Sequence, residues 1–217
     1  KLGGRELQAW DEAIYADAAR NVLDGHVLIL QLSGEGQKLG SGVFLEKPPL
    51  VPWLQAITMS LLGDTVVAAR LPSFLAFLGC IVLVVYITAD LLNNQFALVA
   101  GLLLVFSRAA TTGHGPLYGS TDVVLTLTGS VAIWLWLKYQ LGYKEPRYLY
   151  GAAIALAFAV LSKGVAAFPF ALVGAIALYF QPGTVVKRKF WVAVGVFLVV
   201  ATPWFLYALA VVPDTFI

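Results

Sequence analysis

Six apolar stretches follow one another along most of the chain after residue 65. Two of them, Val66–Ala89 and Phe190–Val212, reach the roughly 20 residues that a helix needs to cross the hydrocarbon core of a bilayer. The other four are shorter and predict spans that depend on local bilayer thinning or on neighbouring protein. These are Phe96–Ala109, Asp122–Leu137, Tyr148–Leu161 and Val165–Phe180. The pattern predicts an all-α, polytopic transmembrane protein with about six spans in residues 66–217.

The first 65 residues have a different pattern and are expected to form one loop outside the membrane. From Asp11, apolar residues recur at helical spacing as far as Gly25, where glycine favours a helix end. This predicts an amphipathic helix whose apolar face lies along the membrane surface. Val51–Leu62 predicts a second interfacial helix with Trp53 as an anchor at the headgroup level. The glycine-rich stretch Ser33–Gly42 predicts a mobile loop.

Composition supports the membrane assignment. Hydrophobic residues make up 60% of the chain, charged residues 12%, and the mean hydropathy is +0.84. Soluble domains are about half apolar and about one quarter charged. Cys80 is the single cysteine, which excludes an internal disulfide. The chain begins at Lys1 and ends at Ile217, and we expect it to be a piece of a longer protein.

The distribution of basic residues predicts an orientation. When the sides are counted by alternation from Val66, the loops Lys138–Arg147 and Gln181–Lys189 share one side with the turn Asp90–Gln95. Loops rich in lysine and arginine favour the cytoplasm, so this side is predicted to be inside a cell membrane. The opposite, extracytoplasmic side receives residues 1–65, the Thr111–Thr121 loop, the Ser162–Gly164 turn and Pro213–Ile217.

The extracytoplasmic loop carries three candidate residues. Asp11 suits either a helix N-cap, with Glu12 beside it favouring the helix dipole, or a general base toward an acceptor hydroxyl or amine. Lys47 precedes two prolines that predict an extended, stiff backbone. It suits a lipid phosphate, or it is a lysine that snorkels to the interface. Glu46 is either an ion partner of Lys47 or an oxygen ligand of a divalent cation that a histidine also binds.

The spans add three further charged residues on the same side. Asp122 follows Ser120-Thr121 at the start of a span, so it suits a helix cap or a catalytic carboxylate. Lys163 ends a span, where a cation favours the helix dipole and also suits a phosphate. Arg70 lies just inside a span and requires an anionic partner or the interface. His26 and His114 lack metal-ligand spacing, and no glycine-rich phosphate loop, nucleophile elbow or zinc signature occurs.

The order of the motifs resembles a known family. The chain is similar to the N-terminal half of the C-type glycosyltransferases, and within them to the group of bacterial aminoarabinose transferases and protein O-mannosyltransferases. The motifs that carry the resemblance are Asp11-Glu12-Ala13-Ile14-Tyr15, Glu46-Lys47-Pro48-Pro49-Leu50, Gly63-Asp64, Ala69-Arg70-Leu71-Pro72-Ser73, Thr121-Asp122, Leu161-Ser162-Lys163-Gly164 and Pro203-Trp204.

The resemblance implies roles for these positions. Asp11 matches an essential aspartate and Asp122 a second acidic position, so both are predicted to be catalytic. Lys47 matches a lysine that contacts the phosphate of the donor lipid. Glu46 matches a position that binds a metal in the aminoarabinose branch, where the partner histidine lies beyond a segment like Pro213–Ile217. The residues predicted to bind substrate are Glu12, Tyr15, Lys47, Arg70 and Lys163.

Together these observations predict an inverting glycosyltransferase that takes a sugar from a polyprenyl-phosphate donor on the extracytoplasmic face. We expect no required cofactor beyond a possible divalent metal ion. The expected partners are the lipid-linked donor and membrane lipids, with no nucleic acid, and the acceptor is left open. The alternative is a non-catalytic membrane subunit or lipid-binding scaffold with the same fold. A transporter is less favoured, because no ionisable residue lies mid-span in a broken helix.

Overall fold

A computed structural model describes residues 2–4, 6–7, 10–32, 42–108 and 115–213. These residues form α-helices and no sheet, as the hydrophobic pattern predicted. The predicted loop Ser33–Gly42 lies outside the described residues except for its last one, as do His114 and residues 214–217. The helices are α1 (Asp11–Leu23), α2 (Leu50–Leu62), α3 (Val66–Leu91), α4 (Asn94–Val105), α5 (Thr121–Lys138), α6 (Pro146–Lys163), α7 (Phe168–Phe180) and α8 (Arg188–Val211).

Four of the described helices are long and apolar enough to cross a membrane. These segments are α3, α5 with the turn that follows it (Thr121–Tyr143), α6 through α7 (Pro146–Phe180) and α8. Helices α4 and α7 have only 12 and 13 residues. At about 1.5 Å per residue they fall well short of the roughly 30 Å hydrocarbon core, as expected for short spans. The count of about six spans stays a prediction for this multi-pass membrane protein.

Helices α6 and α7 run in opposite directions although their helical hydrogen bonding is nearly continuous. Gly164 follows α6 with φ 56°, a left-handed conformation that favours glycine, and a short 3₁₀ turn (Gly164–Ala167) leads into α7. Lys163 at the end of α6 contacts the start of α5 at Asp122. Leu178 near the end of α7 lines the same cavity as Leu149 near the start of α6. The chain therefore reverses at Gly164.

The basic loops lie together at one end of the helical bundle. Lys138 forms an ion pair with Asp90, with 2.8 Å between Nζ and Oδ2. The Lys189 ammonium donates to the carbonyl oxygen of Lys144 at 2.8 Å. These contacts confirm that the loops after α3, α5 and α7 share one end. Which side of the membrane that end faces stays a prediction.

The N-terminal segment packs on the protein at the opposite end of the bundle. Helix α1 occupies Asp11–Leu23, so its predicted start and its end before Asp24-Gly25 are confirmed. Its face expected along the membrane surface is instead covered by protein. Ala16 and Ala19 form a buried cluster with Ala56 and Met59 of α2. Alanine allows this close approach because its side chain is small and loses no rotamer freedom.

Trp53 of α2 contacts the segment that follows α1, and its role as a headgroup anchor stays a prediction. Its indole Nε1 donates to the carbonyl oxygen of Val27 at 2.7 Å. Trp204 of α8 makes the equivalent bond to Leu28, also at 2.7 Å. Two tryptophans from different helices therefore hold the segment that follows α1 against the bundle.

A proline in α3 frees backbone acceptors that α2 uses. Pro72 has no N–H, so the carbonyl of Ala68 four residues earlier lacks its usual helical partner. The Thr58 hydroxyl donates to this oxygen at 2.7 Å. The Gln55 amide nitrogen donates to the next carbonyl, that of Ala69, at 2.8 Å. These bonds fix α2, and with it the tract that precedes α2, to the beginning of α3.

Candidate functional site

Asp11 begins α1 at the end of the bundle opposite the basic loops. The N-cap position belongs to Trp10, which has φ 74° and no side-chain cap, so the capping interpretation of Asp11 is wrong. The Asp11 carboxylate is exposed and makes no hydrogen bond or ion pair with the described part of the chain. It is therefore open to a substrate.

Glu12 and Arg70 pair with each other in the interior. The distances are 2.6 Å from Nε to Oε1 and 3.0 Å from Nη2 to Oε2, and the side chains are 4% and 3% exposed. The backbone N–H of Gly119 also donates to Glu12 Oε1, at 2.8 Å. The requirement of Arg70 for an anionic partner is thus met by Glu12. Their predicted contact with substrate stays a prediction, while this geometry supports a positioning role.

Tyr15 lies among carboxylates from three segments of the chain. Burial of the side chain raises the pKa of Tyr15 from 10.0 to about 12. The negative charges of Asp11, Asp122 and Glu46 raise the pKa in the same direction, and the nearby Thr121 hydroxyl opposes them. The phenol is therefore neutral at physiological pH and is available as a hydrogen-bond donor at the centre of the acidic cluster.

Asp122 forms an ion pair with Lys163 of α6, with 2.5 Å between Oδ1 and Nζ. Ser120 holds the N-cap position of α5 and accepts from the Asp122 N–H, so capping belongs to Ser120 and the capping interpretation of Asp122 is wrong. The Ser120 hydroxyl also donates to Asp122 Oδ2 at 3.1 Å. Both carboxylate oxygens are therefore held, which fixes the orientation of this side chain.

The tract before α2 brings Lys47 to the same region. Glu46 is exposed, Lys47 is half-buried, and the two prolines are buried. The predicted extended strut is wrong at Pro49, which has φ −85° and ψ −5° and turns the chain into α2. A Cβ on Gly164 would lie 3.7 Å from Cγ of Pro48, so the tract packs against the turn that follows Lys163. In the described chain the Lys47 ammonium has no protein partner.

The described residues include no group of three or more histidine, cysteine, aspartate or glutamate side chains that could hold a metal ion. Glu46 is the only member of the predicted metal site that the structure places. A catalytic zinc site has three protein ligands, of which Glu46 would be one. Glu46 as a metal ligand stays a prediction.

A cavity of about 520 Å³ opens at this end of the bundle. It lies between the segment that follows α1 and the last turns of α8, and its wall includes Val27, Ile29, Val43 and Tyr207. Asp11, Tyr15, Glu46, Asp122 and the two lysines, Lys47 and Lys163, are not among the residues that line it.

Comparison with known proteins supports the resemblance drawn from the motifs. The sequence profile of the family described as dolichyl-phosphate-mannose-protein mannosyltransferase matches residues 46–207. The chain belongs to this family. The match includes Lys47, Arg70, Asp122 and Lys163, while Asp11 and its helix precede it.

The family assignment agrees with a relative and two solved structures. The chain is 26% identical over 218 positions to the undecaprenyl phosphate-alpha-4-amino-4-deoxy-L-arabinose arabinosyl transferase of Shewanella sediminis (strain HAW-EB3), covering 98% of the chain and 38% of the relative. It is similar to ArnT from Cupriavidus metallidurans in the apo state, with TM-score 0.79, 22% identity, and coverage of 98% and 40%. The structure of the same protein bound to undecaprenyl phosphate gives TM-score 0.79 and 21% identity, covering 98% of this chain and 39% of that one. The chain thus spans about two fifths of these relatives' length.

Sequence reasoning named the charged residues of the site but not their partners. Glu12 with Arg70 and Asp122 with Lys163 are separated by 58 and 41 positions, and no local pattern links such distant residues. It missed Ser120 as the residue that caps α5, although serine ahead of an apolar helix is a readable N-cap signal. The Gly119 amide, which binds Glu12, leaves no signal in the sequence.

Proposed function

We propose that the complete protein is a membrane glycosyltransferase that moves a sugar from a polyprenyl-phosphate donor to an acceptor. The observation that carries this proposal is one cluster: carboxylates from α1, α5 and the tract before α2 are near enough to Tyr15 to raise its pKa. Lys163 pairs with Asp122, and Lys47 follows Glu46 in the sequence. A carboxylate to take a proton and cations to receive a phosphate are the groups that this transfer needs. The family profile and the named relative support the same reaction class.

Asp11 is the general base of the proposed reaction. Its exposed, unpaired carboxylate takes the proton of an acceptor hydroxyl or amine as the acceptor oxygen or nitrogen attacks the anomeric carbon of the sugar. The bond from that carbon to the phosphate oxygen breaks in the same displacement, so the anomeric configuration inverts. Asp122 is held by Lys163 and Ser120 and is therefore suited to orienting the acceptor rather than to accepting its proton.

The polyprenyl phosphate leaves with the electron pair of the broken bond and gains negative charge. Lys47 lies beside the site without a partner in the described chain and stabilises this charge. Lys163 adds to it, because an ammonium has three donors and its bond to Asp122 uses one of them. Arg70 acts through Glu12, since the pair is buried and both side chains are engaged with protein.

The donor class follows from chemistry and from the relatives. A lysine at the edge of a membrane helix bundle suits a phosphate on a long apolar tail. One structure similar to this chain is of a protein bound to undecaprenyl phosphate. The proposed acceptor is a hydroxyl or amine of a lipid, glycan or protein.

The site is proposed to face the extracytoplasmic side of the cell membrane, since the basic loops lie at the opposite end of the bundle. Labelling of single cysteines in a Cys80→Ser background tests this placement. A cysteine at His26 should react with an impermeant reagent in intact cells, whereas one at Lys144 should react only after lysis. Reaction of both from one side contradicts the topology.

The activity test uses membranes that contain the complete protein, a labelled lipid-linked sugar and a panel of acceptors. Transfer should be lost in Asp11→Asn and strongly reduced in Lys47→Ala, while both variants keep the wild-type amount of folded protein. Wild-type transfer in both variants would remove this mechanism. Absence of transfer by the wild-type protein with every donor, together with retained lipid binding, would favour the scaffold alternative.

A further inference from the structure

A second cavity, of about 260 Å³, lies at the basic end of the bundle, away from the proposed transferase site. Its wall is formed by apolar side chains of α5, α6, α7 and α8, including Trp136, Leu149, Phe170, Leu178 and Phe190. Small residues of the same helices, such as Ala152, keep the space open. Nothing in the proposed transfer uses this cavity.

Two polar groups beside this cavity lack partners in the described chain. The indole Nε1 of Trp136 and the hydroxyl of Tyr139 are both inaccessible to solvent and make no hydrogen bond. Tyr139 is fully buried and packs with Trp136, Leu149 and Phe190, which all line the cavity. An unsatisfied buried donor costs about 1–3 kcal/mol, so an acceptor that reached these two groups would remove that cost.

Two lysines gather over the same tyrosine. The Nζ atoms of Lys144 and Lys189 each lie 5.3 Å from the centroid of the Tyr139 ring. Each donates once to a backbone carbonyl, of Gln140 and Lys144 respectively, and keeps further N–H donors. Neither has a carboxylate partner among the described residues. Glu145, which follows Lys144 in the sequence, pairs with Arg147. Two uncompensated cations beside an apolar cavity attract an anion with an apolar tail.

The backbone at the basic end of the bundle holds Lys144 over the ring of Tyr139. Helix α5 continues into a π-helical turn (Tyr139–Tyr143), in which Gly142 has φ 121°, and Lys144 follows with φ 33°. A left-handed lysine is strained, whereas the glycine is not. This turn directs Lys144 back toward Tyr139 and closes one side of the cluster.

We infer that this end of the bundle binds one anionic phospholipid of the surrounding leaflet. An acyl chain occupies the cavity between α5 and α8, and the lipid phosphate lies at Lys144 and Lys189. The ester carbonyl oxygens, which lie just below the phosphate in a phospholipid, accept from Trp136 and Tyr139. A polyprenyl phosphate has no carboxylic ester carbonyl oxygens for these donors. The site is independent of the proposed transferase activity.

The test titrates the complete, delipidated protein in detergent with phosphatidylglycerol or phosphatidylcholine and counts bound lipid by native mass spectrometry. Phosphatidylglycerol should bind to the wild-type protein about tenfold more tightly than phosphatidylcholine, because only it carries a net charge. The double variant Lys144→Gln/Lys189→Gln should remove this preference. Lys187→Gln, an exposed lysine of the same loop, is the matched control and should keep it.

The two donors are tested by substitutions that keep the aromatic packing. Trp136→Phe and Tyr139→Phe should each weaken binding of both lipids about three- to tenfold, since each removes one hydrogen bond. Thermal unfolding of the lipid-free variants shows whether they fold. Folded variants that bind both lipids as tightly as wild type would overturn the assignment of these donors.

Two competing ligands separate the inferred lipid from other anions. Inorganic phosphate at millimolar concentration should leave the bound phosphatidylglycerol in place, because it has no tail for the cavity. Undecaprenyl phosphate should also fail to displace it. Displacement by either ligand, or equal affinity of the wild-type protein for both phospholipids, overturns the inference.

Discussion

Glu12 of α1 and Arg70 of α3 form a two-bond ion pair in the interior, although 58 positions separate them in the sequence. Arg70 also donates to the backbone carbonyls of Leu2 and Glu6, at 2.8 and 3.1 Å. Glu12 accepts from the Gly119 amide. One pair thus joins the N-terminal segment, α1, α3 and the loop before α5, and it sets the position of Asp11, the neighbour of Glu12.

The first prediction concerns the stability that depends on this pair. Glu12→Gln leaves the Arg70 guanidinium buried without a charge partner, and we expect a loss of about 3–5 kcal/mol in the free energy of unfolding. Arg20→Gln is the matched control. It breaks the exposed ion pair with Asp64, in which Nε and Oδ2 are 2.8 Å apart, and should cost no more than about 1 kcal/mol. Denaturation of the full-length protein in detergent measures both.

The same variants separate a positioning role from substrate binding. If Glu12 contacted the donor directly, Glu12→Gln would reduce transfer while the melting temperature stayed at the wild-type value. An equal loss of stability in the two variants would show that burial of the Glu12–Arg70 pair has no energetic consequence.

The second prediction distinguishes the roles proposed for Asp11 and Asp122. Asp11→Asn should lower kcat by about 10²–10⁴-fold, because it removes the proposed base. Asp122→Asn keeps the size of the side chain but weakens the bond to Lys163, so transfer should fall less and the apparent KM for the acceptor should rise. Asp24→Asn, at the exposed other end of α1, is the control. A kcat for Asp11→Asn within about threefold of the Asp24→Asn value would be incompatible with base catalysis.

The third prediction concerns the donor phosphate. Lys47→Gln should raise the KM for the lipid-linked sugar and lower kcat, because the cation binds the phosphate and also stabilises its developing charge. Lys47→Arg keeps the charge on a differently shaped group and should restore part of the activity. Lys163→Gln should have a smaller effect on the donor, since Lys163 also holds Asp122. Unchanged donor kinetics in Lys47→Gln would place the phosphate elsewhere.

The fourth prediction follows from the raised pKa of Tyr15. The unfolded chain releases the phenolic proton above pH 10, whereas the folded protein keeps it until about pH 12. The contribution of Tyr15 to stability is therefore fully present below pH 10 and is lost as the pH rises from 10 to 12. The wild-type protein should lose about 2–3 kcal/mol relative to Tyr15→Phe over this interval.

The control for the pH experiment is Tyr179→Phe, because this tyrosine is 81% exposed. Its stability should follow the wild-type curve between pH 10 and 12. Parallel curves for the wild-type protein and Tyr15→Phe would show that the phenol is not protected from ionisation.

The parts of the fold that depend on local pattern were predictable from the sequence. The ends of α1 and the start of α3 follow from the helical spacing after Asp11 and from the apolar run that begins at Val66. The reversal at Gly164 was predicted as a turn, since a lysine and a glycine interrupt two apolar stretches. The segments of α4 and α7 were predicted to be short, but their exact ends were not predictable, because an apolar run does not show how much of it is helical.

The candidate site was only partly predictable, because it depends on contacts between distant residues. Asp11, Lys47 and Asp122 were named from motif order and from the side of the membrane they share. The direction in which Arg70 points was not predictable, since a buried arginine takes whichever carboxylate the tertiary fold supplies. The unpaired donors of Trp136 and Tyr139 also required a structure, because a sequence does not reveal which hydrogen bonds are missing.

The bonds at Pro72 have a mechanical consequence. Thr58 and Gln55 of α2 hold the carbonyl oxygens of Ala68 and Ala69, so α2 and the first turns of α3 move as one rigid body. A transmembrane helix adjusts its tilt when the thickness of the bilayer changes. A tilt of α3 is therefore carried through α2 to Lys47, so we expect the proposed phosphate site to respond to the thickness of the membrane around it.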